Sequence, residues 1–361
     1  MHRRFCPLRA EFPASNVTGD FDMTTLTAAS RQLFSRPPDE RYPTLEALYR
    51  RCREMEELSN DRWVSSKEMY FLGSESGDLL LRTDDGPGYA LNSWSFAQVC
   101  KLAGVGIETV NKVRAQTAAS ILEDTFPRNG KPLQLYHTPD TVRSLHGHVY
   151  SRLGDTELLD VIREYDRFTP PPVGFNGATG IYGGDRDIFV FEIDEEVSLE
   201  IGNDGPHHPG YIVHNSTVGA RMLGITTFYF QRVCANHIIH GVHGVAEFAA
   251  KHTSKIGEAL DEVRRRLDLL AGVDDGAHDS FVAAVKTAMR TPLGTSKEEA
   301  TKALVKQGFA QRTAGLAAEG MKEWTVWGAV DSLTRLSRTF RHTDDRVDAD
   351  RQAARLLRLA A

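Results

Sequence analysis

A run of short apolar segments separated by glycines, between residues 173 and 230, constrains the fold most strongly. The segments read IFVFEI, VSLEI, YIVHN and LGITTFYF, and each is about as long as one strand. Short apolar runs bounded by turn residues are typical of antiparallel strands joined by hairpins. The glycine-rich stretch GFNGATGIYGG lacks the GK[ST] ending of a phosphate-binding loop and indicates a loop and a hairpin turn. The sequence therefore predicts an antiparallel β-meander in this region.

Helical periodicity lies on both sides of the meander. Before it, the pattern predicts helices at 41–60, 94–103, 108–124 and 155–166, with short strands near 67–72, 78–83 and 133–138. After it, the pattern predicts helices at 244–271, 277–290, 296–307, 321–339 and 347–360. The predicted fold class is α+β, with a central antiparallel β-meander flanked by helices and a helical C-terminal segment. The predicted organisation is a loose N-terminal leader (1–40), an α+β core domain (41–271) and a helical segment packed on it (272–361).

Composition narrows the classes of function. The chain of 361 residues has a formal net charge of -6, so binding to nucleic acid requires a local basic patch. The apolar runs all fall well short of the roughly 20 residues that a membrane-spanning helix needs. Four cysteines are scattered without a CxxC pair, which favours a reducing compartment over a disulfide framework. We expect a cytoplasmic protein with no membrane partner and no bound cofactor.

Basic and aromatic residues recur beside the predicted strands and helix starts. The basic residues are Arg143, Arg152, Arg221, Arg232, Lys251, His252 and Lys255. The aromatic residues are Tyr150, Tyr182, Phe228, Tyr229 and Phe230. Cations that contact phosphates, together with rings on which bases stack, are the side chains that bind single-stranded nucleic acid. The alternative is that the rings belong to the core and the cations are scattered over the surface.

Two groups of residues could hold a metal ion. Cys234, His237, His240 and His243 follow one another at intervals of three residues, and these are ligand types that zinc accepts. Asp185 and Asp187 lie on one face of a predicted strand, and Glu192 and Asp194 likewise on one face of the adjacent strand, where carboxylates could bind magnesium. The alternatives are histidines in a core or an interface, and a solvated acidic hairpin. No GxSxG motif is present.

The segment YIVHNSTVGARMLGITTFYFQRVCANHI resembles the centre of the bacterial phage/plasmid-like protein family, a domain of unknown function. The similar features are a Tyr-led strand ending in Asn215-Ser216, the run Arg232-Val233-Cys234 with Asn236, the triplet Lys251-His252-Thr253, and a late segment around Trp327. The similarity covers roughly residues 75–340. Departures are the Ser-Thr-Val-Gly that follows Asn215 and the lysine at 251, where the family often has Ser-His-Asp-Gly and an arginine.

The resemblance implies an accessory protein of mobile genetic elements with a strand-rich core, a basic aromatic groove and assembly into homo-oligomers. It also suggests a relation to single-strand annealing recombinases at the level of fold and context. The predicted function is non-enzymatic binding of single-stranded DNA or another nucleic acid, as an accessory protein in single-strand annealing or recombination. The predicted contacts are Arg143, Arg152, Tyr182, Arg221, Phe230, Arg232, Asn236, Lys251, His252 and Lys255. The alternative is a metal-dependent enzyme that acts on nucleotides or nucleic acid.

Overall fold

The computed structural model describes residues 38–84, 86–170, 179–200, 206–231, 238–240, 247–271, 283, 286–337 and 356. Its α-helices are α1 (Leu45–Glu57), α2 (Ser93–Ala103), α3 (Ile107–Asn111), α4 (Ala115–Thr125), α5 (Asp155–Arg163), α6 (Ile256–Ala271), α7 (Lys297–Lys306), α8 (Gln311–Gly320) and α9 (Val326–Ser337). Its strands are β1 (Asn60–Ser65), β2 (Met69–Gly73), β3 (Leu79–Thr83), β4 (Gly88–Leu91), β5 (Pro132–His137), β6 (Thr141–His146), β7 (Ile181–Gly183), β8 (Ile188–Ile193), β9 (Leu199–Glu200), β10 (Pro206–Asn215), β11 (Leu223–Gln231), β12 (Ile238–His240) and β13 (Glu247–Ala250).

The predicted meander forms a seven-stranded antiparallel sheet. Its strand order is β12-β11-β10-β8-β7, with β13 paired to β11 and β9 to β10. The long strand β10 lies at the centre and pairs with β11 on one side and β8 on the other. A Cβ at Gly183 would collide with the Leu48 side chain, so glycine lets the β7–β8 hairpin approach α1 closely. The α+β fold class with this antiparallel sheet is confirmed.

A second, six-stranded sheet is built from the first half of the chain. Its order is β1-β5-β6-β4-β3-β2, and the β4–β6 pair is parallel while its other neighbours are antiparallel. Helix α2 begins at Asn92, whose side chain accepts hydrogen bonds from the amides of Trp94 and Ser95 at 3.0 and 2.8 Å. It ends at Gly104, which has a left-handed φ of 68°. The predicted start and end of this helix are therefore confirmed.

The buried apolar residues form separate clusters along the chain. One cluster lies within 64–145 and joins the six-stranded sheet to its helices, and another lies within 48–267 and joins the seven-stranded sheet to α1, α5 and α6. A third cluster uses only residues from Ala288 onward and is centred on α7, α8 and α9. The predicted domain boundaries at 40 and 271 stay predictions.

Several predicted elements differ from the structure. The helix expected from 244 is wrong over 247–250, because these residues form β13 and pair with the start of β11. The helix expected over 108–124 is divided into α3 and α4, since residues 112–114 leave the helical conformation. Strands β1, β4 and β6 and helix α8 lie where no element was predicted. Among the described helices, none is both long and apolar enough to cross a membrane.

Candidate functional site

The connection between β10 and β11 brings the two sheets together. Asn215 is fully buried, and its side-chain amide donates to the Leu153 carbonyl at 3.2 Å and to Asp155 Oδ1 at 2.8 Å. Ser216 Oγ donates to the Arg186 carbonyl and accepts from the Ala220 amide. We call residues 215–219 the central turn. It closes at a glycine with a φ of 71°, a left-handed conformation that favours this residue.

Two carbonyl oxygens of the central turn accept hydrogen bonds from side chains of distant segments. The Thr217 carbonyl accepts from Tyr150 Oη at 3.0 Å and from Arg152 Nη1. The Val218 carbonyl lies 2.9 Å from both Trp94 Nε1 and His146 Nε2, which requires the proton of His146 on Nε2. Burial lowers the pKa of His146 to about 4, so this ring is neutral near pH 7.

A stack of rings links the segment after β6 to the start of α6. The ring centroids of His146 and Tyr150 are 3.6 Å apart, and those of Tyr150 and His252 are 5.5 Å apart. The Arg152 guanidinium lies 3.8 Å from the Tyr136 ring centroid and 5.4 Å from that of Tyr150. The Ser151 amide donates to the His252 carbonyl at 3.2 Å. These contacts hold 146–152 against 251–255.

Four of the predicted nucleic-acid contacts therefore lie in one region, which we call the basic surface: Arg152, Lys251, His252 and Lys255, with the loop 147–151. His252 is itself buried, at 8% exposed, and burial lowers the pKa of its ring. Lys251 and Lys255 are exposed, and neither forms an ion pair within the described part of the chain. Arg152 pairs with Asp61 at 2.9 Å, and its side chain is 13% exposed. Val149 beside them is 68% exposed. The basic surface thus combines two unpaired ammonium groups with an apolar loop tip.

Three other predicted contacts are engaged within the protein, and the expected exposure of Tyr182 and Arg143 is wrong. Tyr182 is 0% exposed because it lies inside the seven-stranded sheet, where its ring packs near Phe189. Arg143 is 7% exposed and donates to Ser59 Oγ and Tyr136 Oη. Arg221 forms a largely buried ion pair with Asp187. Arg232 and Asn236 lie outside the described residues, and Phe230 is described only as part of strand β11.

The predicted acidic metal site is divided among separate partners. Asp187 pairs with Arg221, Asp194 with Arg167, and Asp185 is exposed. Glu192 accepts a hydrogen bond from Tyr211 in the interior, and burial raises its pKa to about 7. No group of three or more His, Cys, Asp or Glu side chains suited to a metal occurs in the part of the chain that is described. His237 and His243 lie outside that part, and His240 is described only as the end of β12.

A polar cavity of about 180 Å³ lies on the other side of the central turn. It is lined by residues of α1, the β7–β8 hairpin, the start of α5 and the central turn. Its charged and polar lining includes Arg51, Glu56, Arg143, Asp155 and Thr217. Burial raises the pKa of Asp155 to about 6, against the opposing effect of hydrogen bonds from Thr217 and Asn215. Burial likewise raises the pKa of the Cys52 thiol in the cavity wall, so this sulfur is protonated at neutral pH.

Comparison with known proteins found no matching family model, no matching curated protein and no matching solved structure. The resemblance to the phage/plasmid-like family therefore stays a prediction.

The cavity is the part of the site that sequence reasoning missed. Its wall is assembled from positions 39 to 217, and no short motif unites them. The sequence pattern indicates only an acidic residue in the first turn of a helix at Asp155 and an apolar position of α1 at Cys52. A signal was present only at Asn215, where a buried amide at the end of an apolar strand requires hydrogen-bond partners nearby.

Proposed function

We propose that this protein binds nucleic acid through the basic surface, with single-stranded DNA as the expected ligand. The observation that carries the proposal is the pair of exposed lysines, Lys251 and Lys255, which have no carboxylate partner within the described residues. Ammonium groups without an intramolecular partner are available to phosphates, and phosphate contacts supply most of the affinity for nucleic acid.

The framework behind the lysines supports this role. The backbone bond from Ser151 to His252 and the stack of His146, Tyr150 and His252 fix both segments that carry the surface. Contacts that are ordered beforehand lose less conformational entropy on binding. The net charge of -6 is compatible with such a surface, because screening limits the reach of distant carboxylates to about 10 Å at moderate salt.

The contacts expected here are mainly to the phosphate backbone. The Tyr150 ring already stacks with His146 and lies near His252, so it is not an open platform for a base. Val149 is the exposed apolar side chain at the tip of the loop and could contact a base. We therefore expect weak dependence on sequence and strong dependence on salt.

Fluorescence anisotropy with a labelled single-stranded oligothymidylate, titrated over a series of salt concentrations, tests the proposal. For the double variant Lys251→Gln/Lys255→Gln, we expect weaker binding and a salt slope smaller by about 1.4, from ~0.7 per phosphate contact on a single strand. The double variant Lys302→Gln/Lys306→Gln removes the same charge from exposed positions of α7 and should bind as the unmodified protein does. Absence of binding at low salt, or equal losses in both double variants, would refute the proposal. Duplex DNA of the same length serves as the second ligand.

A further inference from the structure

The cavity contains a buried cation that lacks an anionic partner. The Arg143 guanidinium donates to two neutral oxygens, Ser59 Oγ at 3.2 Å and Tyr136 Oη at 3.3 Å, and lies 5.0 Å from the Tyr136 ring centroid. It forms no ion pair with any described residue, although it is only 7% exposed. A buried charge is costly unless it is paired, so this guanidinium is suited to an anion that enters the cavity.

A carboxylate in the same cavity is hydrogen-bonded only to neutral groups, and Arg143 attracts it electrostatically without forming an ion pair with it among the described residues. Asp155 receives a hydrogen bond from the Asn215 amide at 2.8 Å and has no ion pair within the described part of the chain. The neighbouring Glu56 differs, because its oxygens already accept from the Thr156 amide and hydroxyl at the start of α5. Arg143 and Asp155 thus line one space without contacting each other as an ion pair.

The remaining walls limit the size and character of a ligand. The volume of about 180 Å³ is below the range of roughly 300–1,000 Å³ for drug-sized ligands, which favours a small metabolite. Leu48, Met55 and Ile188 add apolar surface to the lining. Asp39, Glu40, Arg51 and Asp185 also line the cavity. A ligand matched to Arg143 and Asp155 carries one anionic group, one cationic group and a compact apolar portion.

We propose that this cavity binds a free α-amino acid with an apolar side chain, its carboxylate at Arg143 and its ammonium group at Asp155. The aliphatic part would contact Leu48, Met55 and Ile188. Arg143 and Asp155 attract each other electrostatically but form no ion pair within the described residues, so binding would give each a contacting group of opposite charge. This site is separate from the basic surface and does not depend on the proposed function.

Isothermal titration calorimetry of the full chain with L-leucine and L-methionine, near neutral pH, tests the proposal. We expect a saturable heat with at least one of the two amino acids. Isocaproate lacks the ammonium group of leucine, and isoamylamine lacks its carboxylate. Each should bind at least about tenfold more weakly, since each leaves one buried charge without a partner.

Variants connect the binding to the two charged residues. Asp155→Asn is nearly isosteric and should fold, and it should weaken amino-acid binding at least about tenfold. Arg143→Gln should do the same, with its folding checked by circular dichroism. Lys302→Gln, in α7, is the control and should leave binding unchanged. The proposal is overturned if neither amino acid gives a saturable heat, if isocaproate or isoamylamine binds as tightly as L-leucine, or if Asp155→Asn binds as the unmodified protein does.

Discussion

The basic surface and the cavity, which both include contacts to the central turn, differ in the solvent exposure of their charged residues. On the basic surface, Lys251 and Lys255 extend into solvent, where an unpaired ammonium group costs little. On the cavity side, Arg143 is buried and Asp155 is partly buried, and neither has an ion pair with another described residue, which is unfavourable for a charge removed from solvent. Charged groups exposed at a surface are therefore suited to binding a large polyanion with little sequence specificity. Unpaired charge in a small cavity suits a ligand of defined size and charge pattern.

The ion pair of Arg221 and Asp187 is largely buried. Its removal should have the largest effect on the free energy of unfolding. Arg221→Met removes the guanidinium that pairs with the buried Asp187, and we expect the free energy of unfolding to fall by about 3 kcal/mol. Urea unfolding measures this change. If Arg221 serves the fold alone, the salt slope of DNA binding stays the same at temperatures where the variant is folded. Lys251→Met should change the stability by less than about 0.5 kcal/mol and should lower the salt slope. A large loss of stability in Lys251→Met, together with a lower salt slope in Arg221→Met, would contradict the different roles of the two cations.

Removing the amide that supports the central turn should affect both sides at once. Asn215→Ala deletes the hydrogen bonds to the Leu153 carbonyl and to Asp155, and we expect a loss of about 2 kcal/mol in the free energy of unfolding. Thermal or urea unfolding measures it. Asn111→Ala, at the exposed end of α3, is the matched control and should stay within about 0.5 kcal/mol. Equal stability of both variants would contradict the central role of this turn.

The pH dependence of the free energy of unfolding reports on Asp155 in the cavity. The pKa of Asp155 is raised from 3.8 to about 6, so the native state retains its proton over this range while the unfolded chain releases it. Stability therefore falls as pH rises from about 4 to about 6, by about 1.5 kcal/mol after allowance for partial exposure. Asp155→Asn should remove this part of the decline.

Glu192 provides the comparison for that measurement. Its pKa is raised from 4.5 to about 7, so its own contribution to stability declines with rising pH over a higher range. Glu192→Gln should remove only the decline in the free energy of unfolding that Glu192 causes, and the new side chain should still accept the hydrogen bond from Tyr211. An unchanged pH profile of unfolding in Asp155→Asn would contradict the burial of the Asp155 carboxyl.

The smallest expected effect concerns the support of the basic surface. Tyr150→Phe keeps the ring stacked with His146 but removes the hydroxyl that donates to the Thr217 carbonyl. We expect a loss of about 1 kcal/mol in the free energy of unfolding and a modest loss of DNA affinity with an unchanged salt slope. A changed salt slope would mean that Tyr150 itself contributes to the ionic contacts.

The sequence predicted those parts of the fold that depend on local patterns. Short apolar runs between glycines predicted the meander, and helical periodicity predicted a helix at 94–103, where the structure has α2. Residues 247–250 were misjudged because their pairing with β11 is set by a partner more than twenty positions away in the chain. Local periodicity does not report such pairings.

The candidate site was predictable only where exposure follows from the position in the chain. Lys251 and Lys255 stand next to a helix start and are exposed as expected. Tyr182 and Arg143 were misplaced, because a ring or guanidinium on a strand points either into the core or outward according to register. The cavity was missed because it forms only where α1, the hairpin and the central turn meet.

Protection of lysines from chemical modification tests the central claim most directly. The protein is acetylated briefly with and without a saturating single-stranded oligothymidylate, and each lysine is quantified by mass spectrometry. The account predicts that bound DNA protects Lys251 and Lys255 and leaves Lys302 and Lys306 as reactive as before. Equal reactivity of Lys251 and Lys255 with and without bound DNA, or protection confined to the lysines of α7, would contradict it.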